Sequence, residues 1–219
     1  SEAPVSSHNI SVGGGTEKTK FSIGGAYFNQ LGIVGADKAS YRRYNGRLNF
    51  TTELAPHITL QNVFLYTNEQ RSALPENGIA SVLYNTINAS PAASVRQLDG
   101  SYTFLEEFND IINPLAQIDN SFNEAKVNKL VGKQEVIWEI QKGLDLTGRI
   151  GYNYASVGSK VFNPLVYYGS GKAQNTVSNA QLIPDSLSLA KGFKVPLLNN
   201  IVESQQTYFN YNLEAFLNY

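Results

Sequence analysis

The chain has 219 residues, with 17 Lys plus Arg against 18 Asp plus Glu and a net charge of −1. That balance offers no global footprint for nucleic acid or an anionic membrane surface, and the absence of cysteine excludes disulfides and thiol catalysis. Charged residues make up only 16%, while Tyr (13) and Phe (11) are abundant. Residue 1 is not Met and no signal peptide is recognisable, so a processed chain or a piece of a longer one is expected. No run of about 18 apolar residues occurs, so no transmembrane helix is expected. A spanning β-strand leaves a weaker trace, alternation over about ten residues.

Seven segments alternate with period two. The first, residues 8–15, sets Ile10 and Val12 against Asn9 and Ser11. The second, 20–31, sets Phe21, Ile23, Tyr27 and Leu31 against Lys20, Ser22 and Gln30. The third, 41–54, sets Tyr44, Leu48, Phe50 and Leu54 against Arg43, Asn45, Arg47 and Asn49. The fourth, 57–68, sets Ile58, Leu60, Phe64 and Tyr66 against His57, Thr59, Gln61 and Thr67. The fifth, 127–140, sets Leu130, Val136, Trp138 and Ile140 against Lys129, Lys133, Glu135 and Glu139. The sixth, 144–156, sets Leu146, Ile150, Tyr152 and Tyr154 against Asp145, Arg149 and Asn153. The seventh, 207–219, sets Phe209, Tyr211, Leu213 and Leu217 against Asn210, Asn212 and Glu214. Asn29 and Asn62 fall on apolar faces, Phe28 and Val63 on polar ones, and Arg42 on the apolar parity near a strand end, where it can snorkel. All eight prolines lie outside these segments, as ladder hydrogen bonding requires.

Connections alternate in length. Thr16–Thr19, Ala55-Pro56 and Gln141–Gly143 are tight turns, whereas 32–40, 69–126 and 157–206 are long. In an up-and-down sheet every tight turn then lies at one end and every long loop at the other. A transmembrane barrel has this asymmetry, with outward apolar faces, interfacial Tyr and Trp, and a polar interior. In hydrocarbon a sheet leaves no backbone group unpaired only when closed. Seven strands are too few for a large barrel, so an interior piece of a longer one is expected, needing neighbours at both edges. Within the loops, 76–87 and 103–112 have helix-like spacing.

Two stretches carry a family resemblance. Residues 8–54 resemble the first barrel hairpins of SusC/RagA-like TonB-linked outer-membrane proteins. The matching residues are His8-Asn9, Gly14-Gly15-Thr16-Glu17-Lys18-Thr19, Ala26 to Val34 (with Ala26 where Gly is commoner) and Tyr41 to Asn49. The segment "INPLAQID", 112–119, is similar to one that precedes a later strand in that family. The resemblance implies a barrel of about 22 strands, with all of residues 1–219 in the barrel domain and the plug and TonB-binding segment outside them. It implies import of oligosaccharides or peptides at the bacterial outer membrane. The implied partners are the rest of the barrel and its plug, a SusD-like lipoprotein, the TonB complex and outer-membrane lipid, with a dimer of transporter–lipoprotein pairs as a further expectation. No cofactor, nucleic acid or catalytic residue is implied.

Other motifs are weaker. "YYGSGKAQNT" (167–176) lacks the first glycine of a phosphate loop, where Val166 stands, and has Ala173 after Lys172. Glu106, Glu107 and Asp110 read as a solvated face. His8 and His57, without a third histidine or a cysteine, make a poor metal set. The loop aromatics Tyr84, Tyr102, Phe104, Tyr167 and Tyr168 are candidate contacts for substrate or lid protein, against the plainer reading of loop self-packing. Two other classes compete with the transporter: a soluble all-β glycan-binding module, and a barrel enzyme, which would need a Ser/His or Asp/His constellation.

Overall fold

The computed structural model describes residues 2–74, 81–105, 111–163, 165–167, 173–175, 181–182 and 200–219. All seven expected strands form, as β1 (Val5–Gly15), β2 (Thr19–Leu31), β3 (Ser40–Ala55), β4 (Ile58–Ser72), β5 (Phe122–Gln141), β6 (Leu144–Asn163) and β10 (Asn200–Asn218). They make one antiparallel sheet in chain order, each strand pairing with its predecessor and successor. Among the described residues β1 and β10 are its edges. Between β6 and β10 lie three short strands the alternation did not foretell: β7 (Leu165–Tyr167), β8 (Ala173–Asn175) and β9 (Gln181–Leu182), which form a small second sheet.

The tight turns are built from residues suited to them. Gly15 passes so close to the Thr19 backbone that a Cβ there would overlap it. Gly143 has φ 84° and His57 φ 67°, the left-handed region that glycine occupies at least cost. His57 is held there by its Nδ1 at 3.1 Å from Glu139 Oε2, and its carbonyl accepts from the Glu139 amide at 2.9 Å.

Register turns the alternation into two surfaces. One carries rows such as Phe21–Phe50, Ile23–Leu48–Phe64 and Tyr66–Leu130–Tyr154–Phe209. This face is uncovered: Ile23 is 52% exposed, Trp138 48% and Leu213 66%. Among the described residues the buried apolar ones, Leu74, Val82, Phe104, Leu105, Ile111, Ile112 and Ala116, all lie in the β4–β5 connection and none in the sheet. A sandwich would bury its core between sheets, so this distribution stands against the soluble module.

From Leu54 to Tyr44 the apolar stripe of β3 covers ten residue steps, roughly 33 Å along the strand, and a tilt of about 40° reduces that to roughly 25 Å, the height of an outer-membrane apolar band. The band ends at a row running Tyr27–Tyr44–Asn68–Asn128–Ser156–Thr207. The Tyr27 and Tyr44 rings stand 5.1 Å apart, and Asn128 Oδ1 accepts from Asn68 at 2.7 Å and from the Tyr66 hydroxyl at 3.0 Å. Arg42 pairs with Gln70 in the next row, past the apolar band. Beyond it β4, β5, β6 and β10 run further than the alternation predicted. There the apolar parity turns polar, as at Glu124–Lys160–Glu203, while Val157, Val161 and Val202 fall on the other face, so the earlier alternation is lost while the backbone ladder continues.

The 69–126 loop holds α1 (Val82–Asn88) and α2 (Pro114–Asn120). The first falls inside the helix-like stretch 76–87. In the second stretch, 103–112, residues 106–110 lie outside the described residues. Helix α2 starts instead on "NPLA", because Asn113 Oδ1 accepts from the Leu115 and Ala116 amides and Pro114 occupies the first turn.

Candidate functional site

The opposite face of the sheet is the site the fold presents. Its right half is electrostatically closed. Arg149 on β6 bonds Glu135 on β5 and reaches Glu214 Oε2 on β10 at 3.0 Å. Lys133 adds a contact to Glu135 at 3.5 Å, and Asn212 Nδ2 donates to Glu214 Oε1 at 2.7 Å. Higher up, Lys129 pairs with Glu69 at 3.6 Å. Glu135, Arg149 and Glu214 stand in one register row, so a single guanidinium bridges two carboxylates across three strands. The left half differs. Arg47 has Gly24 and Leu65 as its lateral neighbours, and Arg43 has Phe28 and Glu69. Arg43 lies over the Phe28 ring at 5.8 Å, and its Nε is buried with no hydrogen-bond partner.

Above the wall, the β4–β5 loop is a packed structure held by amides. Asn113, fully buried, donates to the carbonyls of Val95 (2.8 Å) and Thr103 (2.9 Å) while capping α2. Asn85 on α1 donates to Gln117 on α2 at 2.9 Å and accepts from the Ile112 amide. At the surface Arg96 pairs with Asp119 at 2.8 Å and lies 4.4 Å over the Tyr102 ring. In the adjoining turn the Ser101 hydroxyl, then its amide, donate to Asp99 and hold that carboxyl below its usual range.

The candidate aromatics are not brought together. Phe104 is 3% exposed inside the loop core, with Tyr102 packed against it. The Tyr102 hydroxyl donates to Asp119 at 2.9 Å. Tyr84 is 38% exposed beside Leu83 (62%) and Ile87 (73%) on α1. Tyr167 falls at the end of β7, and Tyr168 lies outside the described residues. Sequence reasoning missed the Arg96–Tyr102–Asp119 cluster and the Asn85–Gln117 pair. It placed Glu135, Arg149 and Glu214 on the inward parity without pairing them. Among the described residues no group of three His, Cys, Asp or Glu is placed to hold a metal.

Comparison with known proteins bears on the fold and the sequence. No family model matches the chain. It is 26% identical over 156 residues to a TonB-dependent receptor of Formosa agariphila, an alignment covering 71% of this chain and 14% of the receptor. Its fold aligns with a solved structure of the RagAB peptide importer in a closed-closed state, at a TM-score of 0.57 and 15% identity, covering 97% of this chain and 30% of that one. A second RagAB structure, of the peptide transporter, aligns at a TM-score of 0.37, too loosely to bear on the fold. This chain therefore spans a minor part of each relative's length. These relatives are receptors and importers, not enzymes. The meander, its bare apolar band and the sequence match converge: the chain is similar in sequence to part of a TonB-dependent receptor and in fold to part of the RagAB importer.

Proposed function

We propose that residues 1–219 form part of the wall of an energised importer for peptides or oligosaccharides. The rest of the barrel and a plug complete it, and a SusD-like lipoprotein covers it from outside. The TonB complex drives it through a segment outside these residues, and transporter–lipoprotein pairs associate as dimers. The observation that carries this reading is the sheet itself: a bare apolar band roughly 25 Å high on one face, ion pairs on the other, and long connections at one end only. Those features suit a wall between lipid and an aqueous lumen. Among the loop aromatics, Tyr84 serves as a contact for cargo or lid, since it shares an exposed apolar helix face with Leu83 and Ile87. Tyr102 and Phe104 order the loop that carries it, and the role of Tyr167 and Tyr168 follows their place in the β6–β10 connection.

The test uses the full-length receptor in its own host. Outer-membrane fractionation, a heat-dependent shift in detergent gels and co-purification of a surface lipoprotein are expected, together with cargo uptake that stops when the TonB complex is deleted. Recovery of the full-length protein as a detergent-independent soluble monomer would sink the proposal.

A further inference from the structure

On the long-loop side the apolar face gives way to charge. Past the row Tyr27–Tyr44–Asn68–Asn128–Ser156–Thr207 the same parity continues in two further rows. The first runs Asn29–Arg42–Gln70–Lys126–Gly158–Gln205, and the second Ser40–Ser72–Glu124–Lys160–Glu203. Two and four residues are roughly 7 and 13 Å along a strand, and a tilt of about 40° reduces those heights to roughly 5 and 10 Å. The headgroup layer adds about 5–7 Å to each side of a bilayer's hydrocarbon. The Arg42 row therefore stands within that layer and the Lys160 row at its outer limit. Lipid whose chains cover the apolar band brings its own headgroup against these residues, since one molecule carries both parts.

The surface there is concave. One hollow, of about 220 Å³, is lined by Arg42, Gln70, Arg71 and Lys126, with Asp37 and Glu124 as its carboxylates. The next, of about 440 Å³, is lined by Asn128, Ser156, Gly158, Lys160 and Gln205, and shares Lys126 and Glu124 with the first. Gln70 separates Arg42 from Lys126 by two strand spacings, about 10 Å. Both long side chains can reach a phosphate seated over Gln70, which adds an amide donor. Gly158 floors the second hollow: a Cβ there would lie 2.8 Å from Gln205 Oε1, and Gln205 Nε2 donates to Ser156 Oγ at 2.7 Å. Its amides and hydroxyls match the hydroxyls of a sugar ring. Lys126 meets Glu124 only at 3.8 Å, and Lys160 meets Glu203 at 2.7 Å, both at the solvent-facing surface. Surface pairs of this kind contribute little, so the ammonium groups can turn to a phosphate.

We infer that the face of β3, β4, β5, β6 and β10 above the apolar band binds the phosphorylated sugar headgroup of an outer-leaflet lipid. Arg42 and Lys126 hold the phosphate over Gln70, and the hollow floored by Gly158 takes the sugar. This rests on the wall reading proposed above and names the lipid that the wall contacts.

The test uses the full-length receptor, delipidated in detergent, titrated by native mass spectrometry with lipid A and with lipid A stripped of its phosphates. Each cation at such a surface is worth about fivefold in affinity, so the phosphorylated form is expected to bind about 25-fold more tightly, less so as salt rises. Arg42→Gln or Lys126→Gln alone should cut that preference to about fivefold, and the double variant should abolish it. All three should bind the stripped lipid as the parent does, a result that a merely structural role would not give. Lys142→Gln, in the opposite turn, should leave the preference intact, and a heat-dependent gel shift shows that each variant is folded. Equal binding of the two lipids by the parent, or a preference surviving the double variant, overturns the inference; outer-membrane fractionation of the same receptor then leaves the wall reading standing. Phosphatidylglycerol binding as tightly as lipid A overturns the sugar assignment. Inorganic phosphate that binds in an Arg42- and Lys126-dependent way, with neither lipid binding, overturns the lipid assignment.

Discussion

Gly132 offers the sharpest perturbation of the wall. It lies on the apolar face of β5, opposite Tyr152 on β6, and the Tyr152 ring lies across it. A Cβ at 132 would overlap the ring's Cζ and hydroxyl and lie 2.7 Å from Cε1. Gly132→Ala therefore forces Tyr152 off its rotamer, at about 0.5–1.5 kcal/mol. It also pulls the ring from Phe64, 6.5 Å away at 55°, a pairing worth about 0.5–1.5 kcal/mol. Against this, alanine gains about 0.5–1 kcal/mol over glycine within a strand. The net is a destabilisation of about 1 kcal/mol. In a Tyr152→Ala background the obstruction is gone, and the same substitution should stabilise by about 0.5–1 kcal/mol. The coupling between the two sites is thus about 2 kcal/mol, within the range for residues in direct contact. Urea unfolding of the full-length receptor, followed by its heat-dependent gel shift, measures all four corners of the cycle. Equal effects of Gly132→Ala in both backgrounds would refute the steric account.

Arg149→Met leaves Glu135 and Glu214 facing each other across β6, and a lower urea midpoint is expected in the same unfolding assay. Lys133 remains beside Glu135, which limits the damage. Gly143→Ala puts a side chain at φ 84° in the β5–β6 turn and should cost about 1–2 kcal/mol, visible as a lower urea midpoint. Asn113→Ala removes the α2 cap and strands two buried carbonyls, together about 3 kcal/mol. Limited proteolysis of intact cells should then cut within 81–121, where the parent receptor resists.

Much of the wall could be read from residue order because a strand's faces are a local property. Phe50 and Arg47 point to opposite sides whatever pairs with them, and a Pro56-His57 turn is short in any register. The loop was far less legible. Asn113 and Asn85 are ordinary polar letters until a fold buries them against Thr103, Val95 and Gln117, and Phe104 reads as a ligand contact until its exposure is known.

The sequence alone settled that long two-faced strands alternate short and long connections, because period two and turn chemistry need only near neighbours. Only the tertiary structure decided register. A slip of two residues keeps every side chain on its own face yet gives each a new partner across the strand. Whether Arg149 meets two carboxylates, Tyr152 covers Gly132 or Arg47 sits between Gly24 and Leu65 is therefore a long-range fact, set by backbone ladders between residues distant along the chain.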